Sequence, residues 1–179
     1  MSYREEKRND MLRLTGVTIL ANSSKTNKIS WRNFSGSPTD ADRVGGKRYF
    51  NVDLNKCDRI EIGNDATGWR RATVQDLIDN GWMVRTLDPN PEYPDYDVAI
   101  PLKINIGNNC IDRGRVKQIT LGGTVALDED TIGGLDRLWI DNAKLKVHAF
   151  TDWGDGTRKS AWLTTAFIYV HEDMNDEWD

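Results

Sequence analysis

Hydrophobic residues recur along this chain mostly at every second position, the spacing of a strand with one buried face. Residues 11–21 (MLRLTGVTILA) alternate Leu12 and Leu14, then Val17 and Ile19, about Gly16, which marks a bulge or bend inside a long first strand. Further strands are predicted over 29–34, 47–54, 82–87, 98–106, 116–121, 144–150 and 162–170. Within 98–106, Val98, Ile100, Leu102, Ile104 and Ile106 share a face, and Pro101 suggests an edge or a bulge. Helical spacing is confined to two short stretches. Residues 72–80 carry Val74, Leu77 and Ile78 before the C-terminal stop Gly81, and 127–135 places acids in a first turn, where the helix dipole favours them. Connections at 35–46, 88–97 and 152–160 are rich in Gly, Pro, Ser and Asp. Many short strands with few helices predict a mostly β domain, a barrel or sandwich rather than a doubly wound sheet.

A length of 179 residues suits one domain with a core of its own, here expected over 11–170, between a charged N-terminal arm (1–10) and a C-terminal tail (171–179). Cys57 and Cys110 are far apart and lack a CxxC spacing, so neither a disulfide framework nor a zinc site follows from them; reduced, buried thiols are expected. No apolar run approaches the roughly 20 residues of a membrane span, and a soluble, cytoplasmic protein without membrane partners is expected.

Charge is segregated. The tail HEDMNDEWD holds five acids (Glu172, Asp173, Asp176, Glu177, Asp179) and no Lys or Arg, which exceeds the whole net charge of −4 and leaves residues 1–170 at about +1. Between Lys25 and Tyr49, the six cations Lys25, Lys28, Arg32, Arg43, Lys47 and Arg48 meet only Asp40 and Asp42. Catalytic constellations are missing from the pattern: two histidines, no zinc-protease helix, no phosphate loop. The DG of 152–156 reads as a tight turn rather than a calcium loop, and 128–130 as a helix start rather than a metal-binding acidic cluster. No enzyme activity, cofactor or metal is expected.

What the strand period brings outward is basic and aromatic. In 47–54 the core set Phe50, Val52 and Leu54 turns Lys47, Tyr49 and Asn51 to solvent; in 144–150 the core set Leu145, Val147 and Ala149 leaves Lys144, Lys146, His148 and Phe150 outside. Cations that follow a phosphate chain, beside rings that stack on unpaired bases, are what a single strand requires. The expected nucleic-acid-binding set is Trp31, Arg32, Lys47, Arg48, Tyr49, Lys103, Lys144, Lys146, Phe150 and Trp153. Trp69, Trp82, Trp139 and Trp162 are expected to pack in the core or at its rim.

The runs Arg32-Asn33-Phe34-Ser35-Gly36, Gly46-Lys47-Arg48-Tyr49-Phe50 and Gly81-Trp82-Met83-Val84-Arg85 resemble the RNFSG, GxRxF and GWxV pattern of a family of phage and prophage proteins, over roughly 29–173. The segment 55–71 looks longer than that family's connection, and Trp162 stands where Tyr is common. The resemblance implies a small barrel like the oligonucleotide/oligosaccharide-binding (OB) fold and a single-stranded DNA-binding protein of phage replication or recombination. Proteins of that class commonly end in an acidic tail with a hydrophobic residue near the terminus, which Trp178 matches. The tail (Glu172, Asp173, Asp176, Glu177, Trp178, Asp179) is expected to contact replication or recombination proteins, because an aromatic anchor flanked by steering charge suits such recognition. The alternative is a virion or tail-associated structural β-domain without nucleic-acid binding.

Overall fold

The first strand, β1 (Met11–Ile19), buries Leu12, Leu14, Val17 and Ile19. Its alternation slips by one residue between Leu14 and Val17, at Gly16, whose φ is +65° and where an added Cβ would lie 2.0 Å from Asp58 Oδ2. The expected bulge is there, and it changes the partner of β1. Before it, Met11 to Thr15 pair with β4 (Arg59–Asn64); after it, Thr18 and Ile19 pair with β3 (Arg48–Asp53). The other edge of β1 pairs with β9 (Ile140–Thr151).

In the computed structural model, which describes residues 10–22, 31–36, 47–88, 91–92, 98–151 and 158–172, these pairings close a five-stranded barrel. From β1 the sheet passes to β3, to β6 (Pro101–Ile106), to β10 (Lys159–Val170), to β9 and back to β1. Taken in chain order, the barrel strands are joined first, second, third, fifth, fourth. All neighbours are antiparallel except the third and fifth, β6 and β10, which run parallel. That is the Greek-key barrel of the OB fold; of the barrel or sandwich that the strand-rich pattern allows, the closed barrel is found.

The parallel seam pairs only Ala161 with Ile104 and Trp162 with Asn105. Residues 81–85 fill the rest of it: Trp82 bridges Lys159, Val84 bridges Leu102, Met83 N donates to Lys159 O at 3.0 Å and Arg85 N to Pro101 O at 2.9 Å. The strand expected over 82–87 is therefore a wedge between two barrel strands. Trp82, 3% exposed, anchors it in the core. It is delivered by α1 (Val74–Asp79), which starts with a Thr73–Asp76 capping box and ends at Gly81, φ +90°.

Other elements hang on the barrel. β2 (Arg32–Asn33) pairs with β3, and β4 forms a hairpin with β5 (Gly68–Arg71). The far half of β10 pairs in parallel with β7 (Val116–Thr120), which carries β8 (Gly123–Ala126) at the free edge. Segment 55–71, expected as a connection, is thus largely β-hairpin. The short helix α2 (Asn108–Asp112) was not expected; its apolar pair Cys110 and Ile111 is too short to give a period. The helix expected over 127–135 is a 3-10 turn, Ile132–Asp136. Asp128 does not extend it but accepts from Asp130 N, Thr131 N and Thr131 Oγ1, and the Thr131 hydroxyl holds its carboxyl below the usual range. The core fills the barrel with Leu12, Leu14, Phe50, Leu102, Ile104, Leu145, Val147, Leu163 and Ile168. Phe34 is wholly buried, its ring stacked on Phe50 at 5.1 Å. Among the described residues, no helix is long and apolar enough to cross a membrane.

Candidate functional site

In OB barrels the outer face of the second and third strands is the usual ligand platform. Here that face belongs to β3 and β6, and registry extends it sideways in two rows. In one row Asn33 faces Tyr49, Tyr49 faces Asn105, Asn105 faces Trp162, and Trp162 faces His148. With about 4.8 Å between strands, this row is roughly 20 Å long. In the adjoining row Asn51 faces Lys103, and Phe150 on β9 faces Ser160 on β10. Trp31 joins Asn51 because its carbonyl accepts from both Asn51 N, at 2.9 Å, and Asn51 Nδ2, at 3.1 Å.

Cations sit over two of these rings. Lys103 Nζ lies 4.5 Å from the centre of the Tyr49 ring, and the Arg85 guanidinium carbon 5.6 Å from that of Trp31. Lys103, Arg85 and Phe150 are exposed, Phe150 at 52%, while Tyr49, Trp31 and Trp162 are half-buried. Lys47, exposed, immediately precedes β3, and its carbonyl accepts from Asn33 Nδ2. Burial lowers the pKa of His148, whose Nδ1 lies 2.7 Å from Thr164 Oγ1. The indole Nε1 of Trp162 is buried without a hydrogen-bond partner. Of the expected set, then, Trp31, Lys47, Tyr49 and Lys103 come together, while Phe150, on the same outer side, lies on β9 beyond β10 and the 81–85 wedge.

Four other expected residues do not join them. Arg32 points into the molecule, 5% exposed, and its guanidinium donates to the carbonyls of Ile19, Leu20, Leu135 and Leu138 at 2.7–3.2 Å. It ties the end of β1 to the 3-10 turn, and no face is left for a phosphate. Asp136 completes the clip by accepting from Phe34 N, Ser35 N and Ser35 Oγ, so the RNFS run is a structural clasp. Arg48 shares the parity of Phe50 and Val52 and enters the barrel, 8% exposed, with Nε and Nη1 lacking any hydrogen-bond partner. Lys146 is outward but already bonded to Asp65 at 2.6 Å, and with Arg13 it flanks the Trp69 ring, Arg13 at 4.2 Å. Arg13 in turn pairs with Glu61 at 3.0 Å, which makes this second cluster electrostatically closed. Lys144 faces Phe167 on the half of β10 that pairs with β7, away from the platform. Trp153, Asp173, Asp176, Glu177, Trp178 and Asp179 lie outside the described residues. Glu172, partly buried, borders a cleft near Asp141 and Tyr169, on the β7 half of β10.

Asn51, expected to face solvent, is buried at 7% exposure with its amide held by the Trp31 carbonyl, whereas Arg85, Asn105 and Trp162 join the platform without having been expected there. Parity alone finds them: Trp162 alternates with the buried Ala161 and Leu163, and Arg85 with the buried or half-buried Trp82 and Val84. Trp139, expected to pack, is 70% exposed and stacks on His171 at 4.1 Å. Among the described residues no group of three or more His, Cys, Asp or Glu is arranged to hold a metal. The chain was compared with models of protein families, with curated proteins and with solved structures, and it matches none of them.

Proposed function

We propose that this protein binds single-stranded DNA without sequence preference, through the outer face of β3 and β6. The carrying observation is the pair of ring-and-cation contacts, Tyr49 with Lys103 and Trp31 with Arg85, side by side on that face. An exposed cation over a ring is worth about 0.5–1 kcal/mol, whereas a base stacked on the ring contributes about 1–3 kcal/mol. An incoming strand therefore gains by placing its base on the ring and drawing the displaced ammonium or guanidinium to the adjacent phosphate. Asn51 and Asn105, whose side-chain amides are engaged with the Trp31 and Ala161 carbonyls, stiffen the platform rather than read bases. Nothing in this arrangement selects a sequence. The resemblance of the 32–36, 46–50 and 81–85 runs to phage proteins supports a role in phage replication or recombination, with the acidic tail as the contact for partner proteins.

Fluorescence anisotropy with labelled oligo-dT, duplex DNA and RNA tests the reading. Single strands are expected to bind in preference to duplex, and Tyr49→Ala and Trp31→Ala each to weaken binding about tenfold, the effect of losing one stacked base. With Lys47, Arg85 and Lys103 on phosphates, log K is expected to fall with log salt at a slope of roughly −2. Equal affinity for duplex and single strand, or none for either, would refute it and favour a structural β-domain.

A further inference from the structure

Beside the platform lies a shallow, open cleft of about 400 Å³, between α1 and the 81–85 wedge, with Arg158 at its rim. Its floor and walls are apolar, with Ile78 at 40% and Met83 at 52% exposure, and Trp82 beneath. Its only charged lining residues among those described are Arg85 and Arg158, with no carboxylate. The volume falls within the range of small-ligand clefts. Exposed apolar side chains flanked by two guanidiniums, with no acid among the described residues lining the cleft, suit a flat apolar group that carries a negative charge. Arg85 belongs to both places, since its guanidinium also stands over Trp31.

We infer that this cleft is an additional nucleotide subsite, where a single strand leaving the platform at Trp31 sets its next base against Met83 and Ile78 and its phosphate between Arg85 and Arg158. The inference rests on the single-strand reading above and extends it: the binding site is longer than the β3–β6 face. The sharing of Arg85 makes the two parts continuous, so the cleft is reached only by oligonucleotides that overrun the platform.

The test is a length series of oligo-dT, from about 4 to 16 nucleotides, measured by anisotropy on the full chain and on Arg158→Gln and Met83→Asp. Wild type is expected to gain affinity in a distinct step once the oligonucleotide overruns the platform, and its salt slope for long strands to exceed that for short ones by about 0.7, one phosphate contact. Both variants should lose the step, by about five- to tenfold, while short strands bind as before; Tyr49→Ala should instead weaken every length. Both side chains are exposed, so unchanged melting temperatures will accompany the effect. A strand carrying 5-iodouracil should also crosslink to the peptide containing Met83. Persistence of the step in both variants, or equal weakening at all lengths, overturns the subsite alone. A wild-type protein that binds no oligonucleotide overturns the subsite together with the reading it rests on.

Discussion

Arg32→Met separates a phosphate ligand from a structural clasp. Sequence reasoning puts Arg32 on the phosphates; the structure gives its guanidinium four carbonyl acceptors, from Nε to Leu20, from Nη2 to Ile19, and from Nη1 to Leu135 and Leu138. The Leu20 and Leu138 bonds are partly solvated, so those carbonyls recover water when the donor is removed. The Ile19 and Leu135 bonds are buried, and each orphaned acceptor there costs about 1–3 kcal/mol. Removing the desolvated guanidinium returns part of this, because its burial was itself unfavourable, as its lowered pKa reflects. A net loss of about 3 kcal/mol follows, and for a chain of this size that lowers the melting temperature by roughly 6–12 °C. Thermal and urea melts followed by circular dichroism measure the loss; anisotropy with oligo-dT well below the transition measures binding by the folded fraction. Affinity is expected to change less than about twofold, since the guanidinium is 5% exposed and its donors are taken up by four carbonyls. A variant that melts like wild type and binds DNA tenfold more weakly would refute the clasp and restore Arg32 to the phosphate set.

Further perturbations follow from the same geometry. Arg48→Met removes a buried guanidinium with two unpartnered nitrogens and is expected to raise stability by about 1 kcal/mol in urea melts; a marked destabilisation would mean that the charge has a partner. Gly16→Ala forces a non-glycine residue to φ +65° and pushes on Asp58, and should cost about 1–3 kcal/mol; an unchanged melt would show that β1 straightens freely. Burial raises the Cys110 thiol pKa to about 11 and also raises that of Cys57, so both should resist iodoacetamide at pH 8 until the protein unfolds, as intact mass reports. His148 is held below its ordinary pKa by burial, so the unfolded chain takes up its proton first: stability contributed by the neutral ring is present above about pH 6.5 and falls as pH drops through that value. His148→Gln should flatten that part of the stability–pH curve.

The period-two pattern assigned most side chains to the correct face, including two that charge then overrode. Arg32 shares parity with Phe34, and Arg48 with Phe50 and Val52, all buried. Parity therefore puts both arginines inside, and only the habit of placing cations in solvent put them out. The same rule turns Lys103 and Phe150 outward, where they are exposed, and Tyr49 and Trp162 to the same side, where they are half-buried. Gly16 and the α1 helix with its Gly81 stop were equally legible, because each is fixed within a few residues; the connections expected over 35–46 and 88–97 fall largely outside the described residues. Ile60 and Ile62 announced β4 in the same way, although the hairpin was read as a connection.

What local pattern does not carry is adjacency. Lys144, Lys146, His148 and Phe150 are four outward residues of one strand, yet they belong to three surroundings: Lys144 opposite Phe167, Lys146 bonded to Asp65, His148 and Phe150 opposite Trp162 and Ser160. The partner of Lys146 is 81 residues away and arrives through the β4–β5 hairpin. Likewise Arg85 meets Trp31 only because residues 81–85 wedge into the short parallel seam between β6 and β10, a consequence of barrel closure that no window of sequence contains. A side chain's exposure is thus set by its own strand, whereas its availability to a ligand is set by the neighbour that closure supplies. For that reason Lys103 or Arg85, held only over a ring, says more about binding than Arg13 and Lys146, whose charges are already paired with carboxylates.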